Sequence, residues 1–176
     1  LNDLLVKPHG ESEGLLLAKR LGRALSSSYI EQASPEAAAA DVAQLALLQD
    51  DSSVGISLRT DPSASHCDGC IEVKLFRRGD SLPLSEVLPM LENMGLQVVT
   101  EYPYSIEADG QPYSIQDLEV RPPEGMVPSD EGVEFFVEAF GRVWRGDLEN
   151  DGFNRLVLAA GLRWKQVQML RSYCKY

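Results

Sequence analysis

A chain of 176 residues, 44% apolar and 24% charged, can bury one good core, or one core with a helical appendage. No apolar run approaches the roughly 18 residues of a membrane span, and no signal peptide is visible. A net charge of −11 argues against a nucleic-acid backbone or an anionic membrane as partner.

The charge is uneven. Residues 1–128 hold 20 acids and 9 bases, while residues 129–176 hold seven of each, which sets a boundary near Pro128. Three cysteines, with one close pair, fit a reducing cytoplasm better than a disulfide scaffold. The chain starts at Leu1 and reaches Tyr176 with a helical pattern still running, as an excised piece of a longer chain would.

Residues 1–33 read as a helical lead-in. Pro8, His9 and Gly10 carry no periodicity; from Glu11 to Leu25, Leu15, Leu16, Ala18, Leu21, Ala24 and Leu25 give an apolar stripe with Lys19, Arg20 and Arg23 outside it, ended by Ser26-Ser27-Ser28. Residues 34–122 form an α/β domain. Ser34 as N-cap and Pro35 at the first helical position open a helix whose inward residues are Ala38, Ala39, Val42, Leu45 and Ala46, and the pair Asp50-Asp51 stops it. Val54, Ile56 and Leu58 alternate as a short strand, and the loop Thr60–Gly69 follows.

Ile71, Val73 and Leu75 then alternate with Glu72 and Lys74, the pattern of a half-buried strand over 71–76. Leu84, Val87, Leu88, Leu91 and Met94 share one helical face, with Pro83 in the first turn, Pro89 tolerable only with a bend or near the start, and Gly95 just past the end. Leu96, Val98, Thr100 and Tyr102 resume the alternation over 96–103. A turn at Glu107–Pro112 leads to a strand over 113–120, whose inward residues Tyr113, Ile115, Leu118 and Val120 suggest a bulge. Pro122-Pro123 stops it, and 124–129 is a linker. Residues 128–176 are helical: a stripe of Val133, Phe136, Val137, Phe140, Val143 and Trp144 closed by Gly146, a helix from Phe153 to Ala160 ended by Gly161, and a third lined by Trp164, Val167, Leu170 and Cys174.

The order α-β-β-α-β-β is a circular permutation of β-α-β-β-α-β, so the expected fold is α+β: a ferredoxin-like four-stranded antiparallel sheet with two helices on one face, plus C-terminal helices. The hairpin and crossover rules place the strands in the order 54–59, 71–76, 113–120, 96–103.

Few residues suggest chemistry. His66-Cys67-Asp68-Gly69-Cys70 holds C-x-x-C, readable as a metal knuckle, a redox pair or a polar hairpin loop. Zinc needs about four ligands, and the other candidates, His9 and Cys174, lie in other elements. A thioredoxin-like pair opens a helix, whereas this one opens a strand. Arg77-Arg78-Gly79-Asp80 precedes a helix N-terminus and reads either as a small-anion site or as a solvated turn. Glu149-Asn150-Asp151 sits between helices and suits capping. Trp144, Trp164, Phe136 and Phe140 suit a core or subunit interface. No G-x-G-x-x-G, P-loop, G-x-S-x-G or H-E-x-x-H occurs, so no catalytic, cofactor-binding or metal residue is assigned.

His9-Gly10-Glu11 with Glu13-Gly14, Lys74 to Val98, and above all AFGRVWRGDLENDGFNRLVLAAGLRW (Ala139–Trp164) resemble the N-terminal, non-catalytic region of large bacterial NAD-dependent glutamate dehydrogenases. The unit from Cys70 to Tyr104 also resembles an ACT regulatory domain. The resemblance implies a regulatory or assembly segment of an oxidoreductase that converts L-glutamate to 2-oxoglutarate and ammonia with NAD, the catalytic and cofactor domains lying beyond Tyr176. It implies, as partners, the rest of the same chain, a homo-oligomer and an amino-acid effector, with Arg78, Gly79, Asp80, Asn93 and Gly95 as the candidate effector loop. A purely structural oligomerisation module and a stand-alone amino-acid-binding module remain open.

Overall fold

The computed structural model describes Leu5, residues 11–60 and residues 67–174. Strands β1 (Val54–Arg59), β2 (Ile71–Arg78), β3 (Gln97–Ala108) and β4 (Gln111–Arg121) form one four-stranded antiparallel sheet in the order β1-β2-β4-β3. This is the order the hairpin and crossover rules require. The β3–β4 hairpin is tighter than its sequence suggests, because the strands run on to a two-residue turn. Asp109 and Gly110 both adopt positive φ, 55° and 71°, the conformation that matches the right-handed twist of the flanking strands.

The chain divides into two compact units, Leu1–Gly55 with Leu75–Ser81 and Pro103–Gln116, and Ile56–Lys74 with Leu82–Tyr102 and Asp117–Tyr176. In the first, α1 (Glu11–Arg20) gives way to a 3₁₀ turn at Gly22–Ala24, and Ser26, expected to end a helix, instead caps α2 (Ser27–Gln32) by accepting from the Tyr29 N–H. Gly14, Ala18, Leu21 and Leu25 are the buried stripe, while Leu15 and Leu16 face solvent. Helix α3 (Pro35–Ala46) opens on Ser34 as expected and buries Ala37, Ala38, Ala39, Val42 and Leu45, with Ala46 exposed. It also buries Asp41, whose carboxylate accepts from the Tyr29 hydroxyl; the Tyr29 ring meets Tyr104 edge-on at 5.1 Å between centroids. Beyond α3, Asp50 accepts hydrogen bonds from the Ser52 and Ser53 hydroxyls and amides, which hold its carboxyl below the usual carboxylate range.

In the second unit, α4 (Leu84–Asn93) buries Val87, Met90, Leu91 and Met94; Leu84 and Leu88, at the edge of the stripe, are half-buried. Pro83 stands at the N-cap, one residue before the position expected, and Pro89 lies on the exposed face. Gly95 takes φ +88°, with Leu96 N–H donating to Leu91 O and Gly95 N–H to Glu92 O, both at 2.9 Å, a Schellman ending. Helix α5 (Asp130–Trp144) is capped by Ser129 and buries Phe135, Phe136, Ala139, Phe140 and Val143. The helix expected over Phe153–Ala160 begins as a 3₁₀ turn, Gly152–Arg155, and continues as α6 (Leu156–Ala160). Helix α7 (Trp164–Cys174) buries Val167 and Arg171, whereas Leu170 and Cys174 are exposed. Arg171 lies on the buried face with its guanidinium paired to Asp151.

The central strands depart most from the half-buried pattern. In β2 every residue from Ile71 to Phe76 is buried, and β4 is buried over Tyr113–Gln116 and Leu118–Val120 within an unbroken strand. Glu72 is 4% and Lys74 2% exposed. Both are held by ion pairs: Arg59 to Glu72, Lys74 Nζ to Glu72 Oε1 at 3.7 Å, and Lys74 Nζ to Asp117 Oδ2 at 3.5 Å. Glu72 and Lys74, which alternation places on the solvated face, are therefore buried in a network with the partly exposed Arg59 and Asp117.

Two stability outcomes follow from this packing. Leu91→Ala is expected to cost about 2–5 kcal/mol and Leu88→Ala about 1 kcal/mol, measured by urea unfolding; equal losses would contradict the assigned helix face. Lys74→Met removes one partner of a buried pair and should cost about 3–5 kcal/mol, most of it recovered in Glu72→Leu/Lys74→Met. A double variant no better than the single would show that the cost is steric rather than electrostatic.

Candidate functional site

Of the candidate effector residues, Arg78, Gly79 and Asp80 belong to the first unit and Asn93 and Gly95 to the second, so each group is described in its own surroundings. Arg78 ends β2. Its Nη2 donates to Gln111 Oε1 at 2.8 Å and its Nη1 to the Gln49 carbonyl at 3.4 Å. Its Nε lies 3.3 Å from Asp51 Oδ1, an ion pair without hydrogen-bond alignment. Arg77 Nε donates to the Asp51 carbonyl at 3.4 Å. Gly79 takes φ +105°, which favours glycine, and gives its N–H to the Pro112 carbonyl at 2.8 Å. Asp80 is exposed. The turn is thus a clamp: its strongest donors tie the loop after α3 to the start of β4. A ligand carboxylate reaching Arg78 would have to exchange with Asp51, whose side chain is 76% exposed.

In the second unit, Asn93 Nδ2 donates to Asn150 Oδ1 at 3.0 Å. Gly95 serves the helix ending. A Cβ there would meet the Arg155 side chain at an ordinary 3.5 Å, so the constraint is the positive φ and not space.

The residues set aside as capping or core form a second polar centre. Asp151 caps the 3₁₀ turn through the Phe153 N–H at 3.0 Å, as expected, and also receives Arg171 bidentately, Nε at 2.7 Å and Nη2 at 2.9 Å. Arg171 Nη2 also donates to Asn154 Oδ1 at 2.9 Å, and Asn154, fully buried, donates to the Glu149 carbonyl. Arg171 had no sequence signal beyond its place on an amphipathic helix. Trp164 donates to Glu138 Oε1 at 2.7 Å, and the Arg142 guanidinium lies 4.2 Å above its ring.

Cys67 and Cys70 are joined as a disulfide, and Cys174 is free and exposed. His9 and His66 lie outside the described residues. Among the described residues, no group of three His, Cys, Asp or Glu side chains is placed to hold a metal ion. No helix among them is long and apolar enough to cross a membrane.

The clamp has a measurable consequence. Asp80→Ala should leave stability within about 0.5 kcal/mol, whereas Arg78→Ala, losing its contacts to Gln111, Gln49 and Asp51, should cost about 1–2 kcal/mol in urea unfolding. A null effect at Arg78 would mean that the turn is solvated.

Residues 35–132 match the family model described as glutamate dehydrogenase, ACT3 domain; residues 148–176 match glutamate dehydrogenase, helical motif 3, and residues 4–48 helical motif 2. The chain is 36% identical over 179 residues to the NAD-specific glutamate dehydrogenase of Halomonas elongata, with 99% of the chain and 11% of the relative covered. The enzyme of the same name from Pseudomonas aeruginosa is 34% identical over 181 residues, covering 99% of the chain and 11% of the relative. That of Mycobacterium tuberculosis is 34% identical over 172 residues, covering 94% and 10%. The chain therefore spans only about a tenth of the length of the curated relatives it matches. With the ACT3 match covering more than half of it, this chain belongs to the glutamate dehydrogenase family and carries its ACT3 domain between helical motifs 2 and 3.

Proposed function

We propose that the chain is a non-catalytic regulatory and assembly segment of a cytoplasmic NAD-dependent glutamate dehydrogenase, whose complete chain would convert L-glutamate, NAD and water to 2-oxoglutarate, ammonia and NADH. The observation that carries this is the β2–α4 turn. In a dinucleotide-binding unit, a strand-to-helix turn offers free backbone N–H groups to the pyrophosphate. Here the Gly79 N–H is spent on Pro112 and the Arg78 guanidinium on Gln111, Gln49 and Asp51. These residues do not fit NAD, and no catalytic step is assigned to them.

Assembly would use the sheet edges. β3 is a 12-residue edge strand interrupted only by the exposed Pro103, which cannot donate to a ladder. A partner domain, or a second subunit of a homo-oligomer, would cover it or β1. An amino-acid effector would enter at Arg78, Gly79 and Asp80, its carboxylate replacing Asp51. The closed state of the clamp favours the runner-up, a purely structural module that sets spacing and oligomer contacts.

A thermal-shift screen of the twenty amino acids separates the two. An effector at about 100 times its Kd should stabilise the protein by about 2.7 kcal/mol, and Arg78→Ala should abolish that shift. A flat screen supports the structural module. NADH production by the isolated segment would overturn the non-catalytic reading altogether.

A further inference from the structure

We propose that Cys67 and Cys70 form a redox-active couple that exchanges with small thiols and disulfides of the glutathione type. Backbone geometry, independent of the sulfur–sulfur bond, brings the two side chains together. Gly69 takes φ +71°, the Cys70 N–H donates to the Cys67 carbonyl at 3.1 Å, and the two Cα atoms lie 5.3 Å apart. A reduced pair in this turn keeps both thiols facing each other.

The two sulfurs are not equivalent. Cys67 is half-buried and Cys70, which leads into β2, is 5% exposed. Arg121 Nη2 lies 3.3 Å from Cys67 Sγ, where a guanidinium stabilises negative charge on that sulfur. This cation takes the place of the helix dipole that activates a thiol at a helix N-terminus. Pro122 follows Arg121 directly and stiffens the chain that carries it. Cys67 and Cys70 also line a cleft of about 540 Å³ with Thr60, Ile71, Pro122 and Met126, within the size range of small-molecule sites. A small thiol therefore reaches Cys67, while Cys70 is shielded as the resolving residue.

Oxidation runs in two exchanges. The Cys67 thiolate attacks one sulfur of the small disulfide RSSR, forming Cys67–S–S–R and releasing RS⁻. The Cys70 thiolate then attacks Cys67 Sγ, forming the Cys67–Cys70 bond and expelling the second RS⁻. The two protons of the cysteine thiols end on the two RSH molecules, RSSR is reduced, and the dithiol is oxidised. Reduction by two RSH reverses each step. In a reducing compartment such a pair is a sensor rather than a structural staple.

The test is differential alkylation of the native full-length protein equilibrated in glutathione buffers from fully reduced to fully oxidised, read on the peptides that carry each cysteine. Cys67 and Cys70 should lose their label together as the buffer is oxidised, while Cys174 labels throughout. Starting from the reduced protein, Arg121→Gln should slow alkylation of Cys67 roughly three- to tenfold and leave Cys174 unchanged. Cys70→Ser should accumulate the mixed disulfide at Cys67, whereas Cys67→Ser should leave Cys70 unmodified; a melting curve on each variant confirms that it is folded. A pair that resists excess glutathione until the protein is unfolded, or that stays thiol in oxidised glutathione, overturns the proposal, as does equal alkylation of Cys67 with and without Arg121.

Discussion

Lys74 carries an ammonium group into the middle of the sheet, and the arrangement of strands around it follows from how that charge is met. An isolated buried ammonium is too costly to keep, so its partners must arrive with it. Glu72 comes from the same strand, Asp117 from β4, and Arg59 from β1 to complete the balance. β2 therefore lies between β1 and β4, and β3 is left to pair with β4 through the Asp109-Gly110 turn. The network also fixes register, because a slip of one residue would send Glu72 and Lys74 to the opposite face from their partners. A leucine in place of Lys74 would pack without discriminating among registers, so this buried polar group contributes specificity at some cost in stability.

The strand order was legible in the sequence because it rests on local rules. Two strands joined by an Asp-Gly turn pair antiparallel, and a strand–helix–strand crossover leaves room for a strand between its ends. Helix starts were legible at Ser34-Pro35, and the ending at Gly95, where a single residue type answers a single backbone need. The faces of helices were less so. Leu15 and Leu16, Ala46, Leu170 and Cys174 were all assigned inward and are exposed, and Leu88 is half-exposed. Apolar periodicity marks a stripe broader than the contact. Which edge of it is covered depends on polar anchors such as Asp41 to Tyr29 and Arg171 to Asp151, whose partners lie 12 and 20 residues away.

The candidate sites divide along the same line. The turn at Arg78-Gly79-Asp80 and the C-x-x-C pair are local motifs and were visible at once. Their chemical character was not, since it is set by Gln49, Asp51, Gln111 and Pro112 around the turn and by Arg121 beside Cys67, 54 residues away. In one case the distant groups close a motif that looked open to ligand. In the other they place a guanidinium beside a motif that reads as a metal knuckle, a redox pair or a hairpin loop.

Arg78 and Arg171 each pair with a carboxylate, and burial separates them. Arg171 holds Asp151 bidentately with its side chain 4% exposed, backed by Asn154. Displacing Asp151 would strand a buried charge at a cost of several kcal/mol, more than a small ligand carboxylate returns. Arg78 is one-third exposed, and its ion-pair partner Asp51 is mostly in solvent. Such a pair is worth about 0–1 kcal/mol, and the displaced carboxylate is rehydrated at once. Exchange at Arg78 therefore costs little, and its Gln111 and Gln49 contacts keep the guanidinium in place while its Asp51 side changes partner. Of these two arginines, the one that can exchange its carboxylate partner is therefore the one at the end of β2.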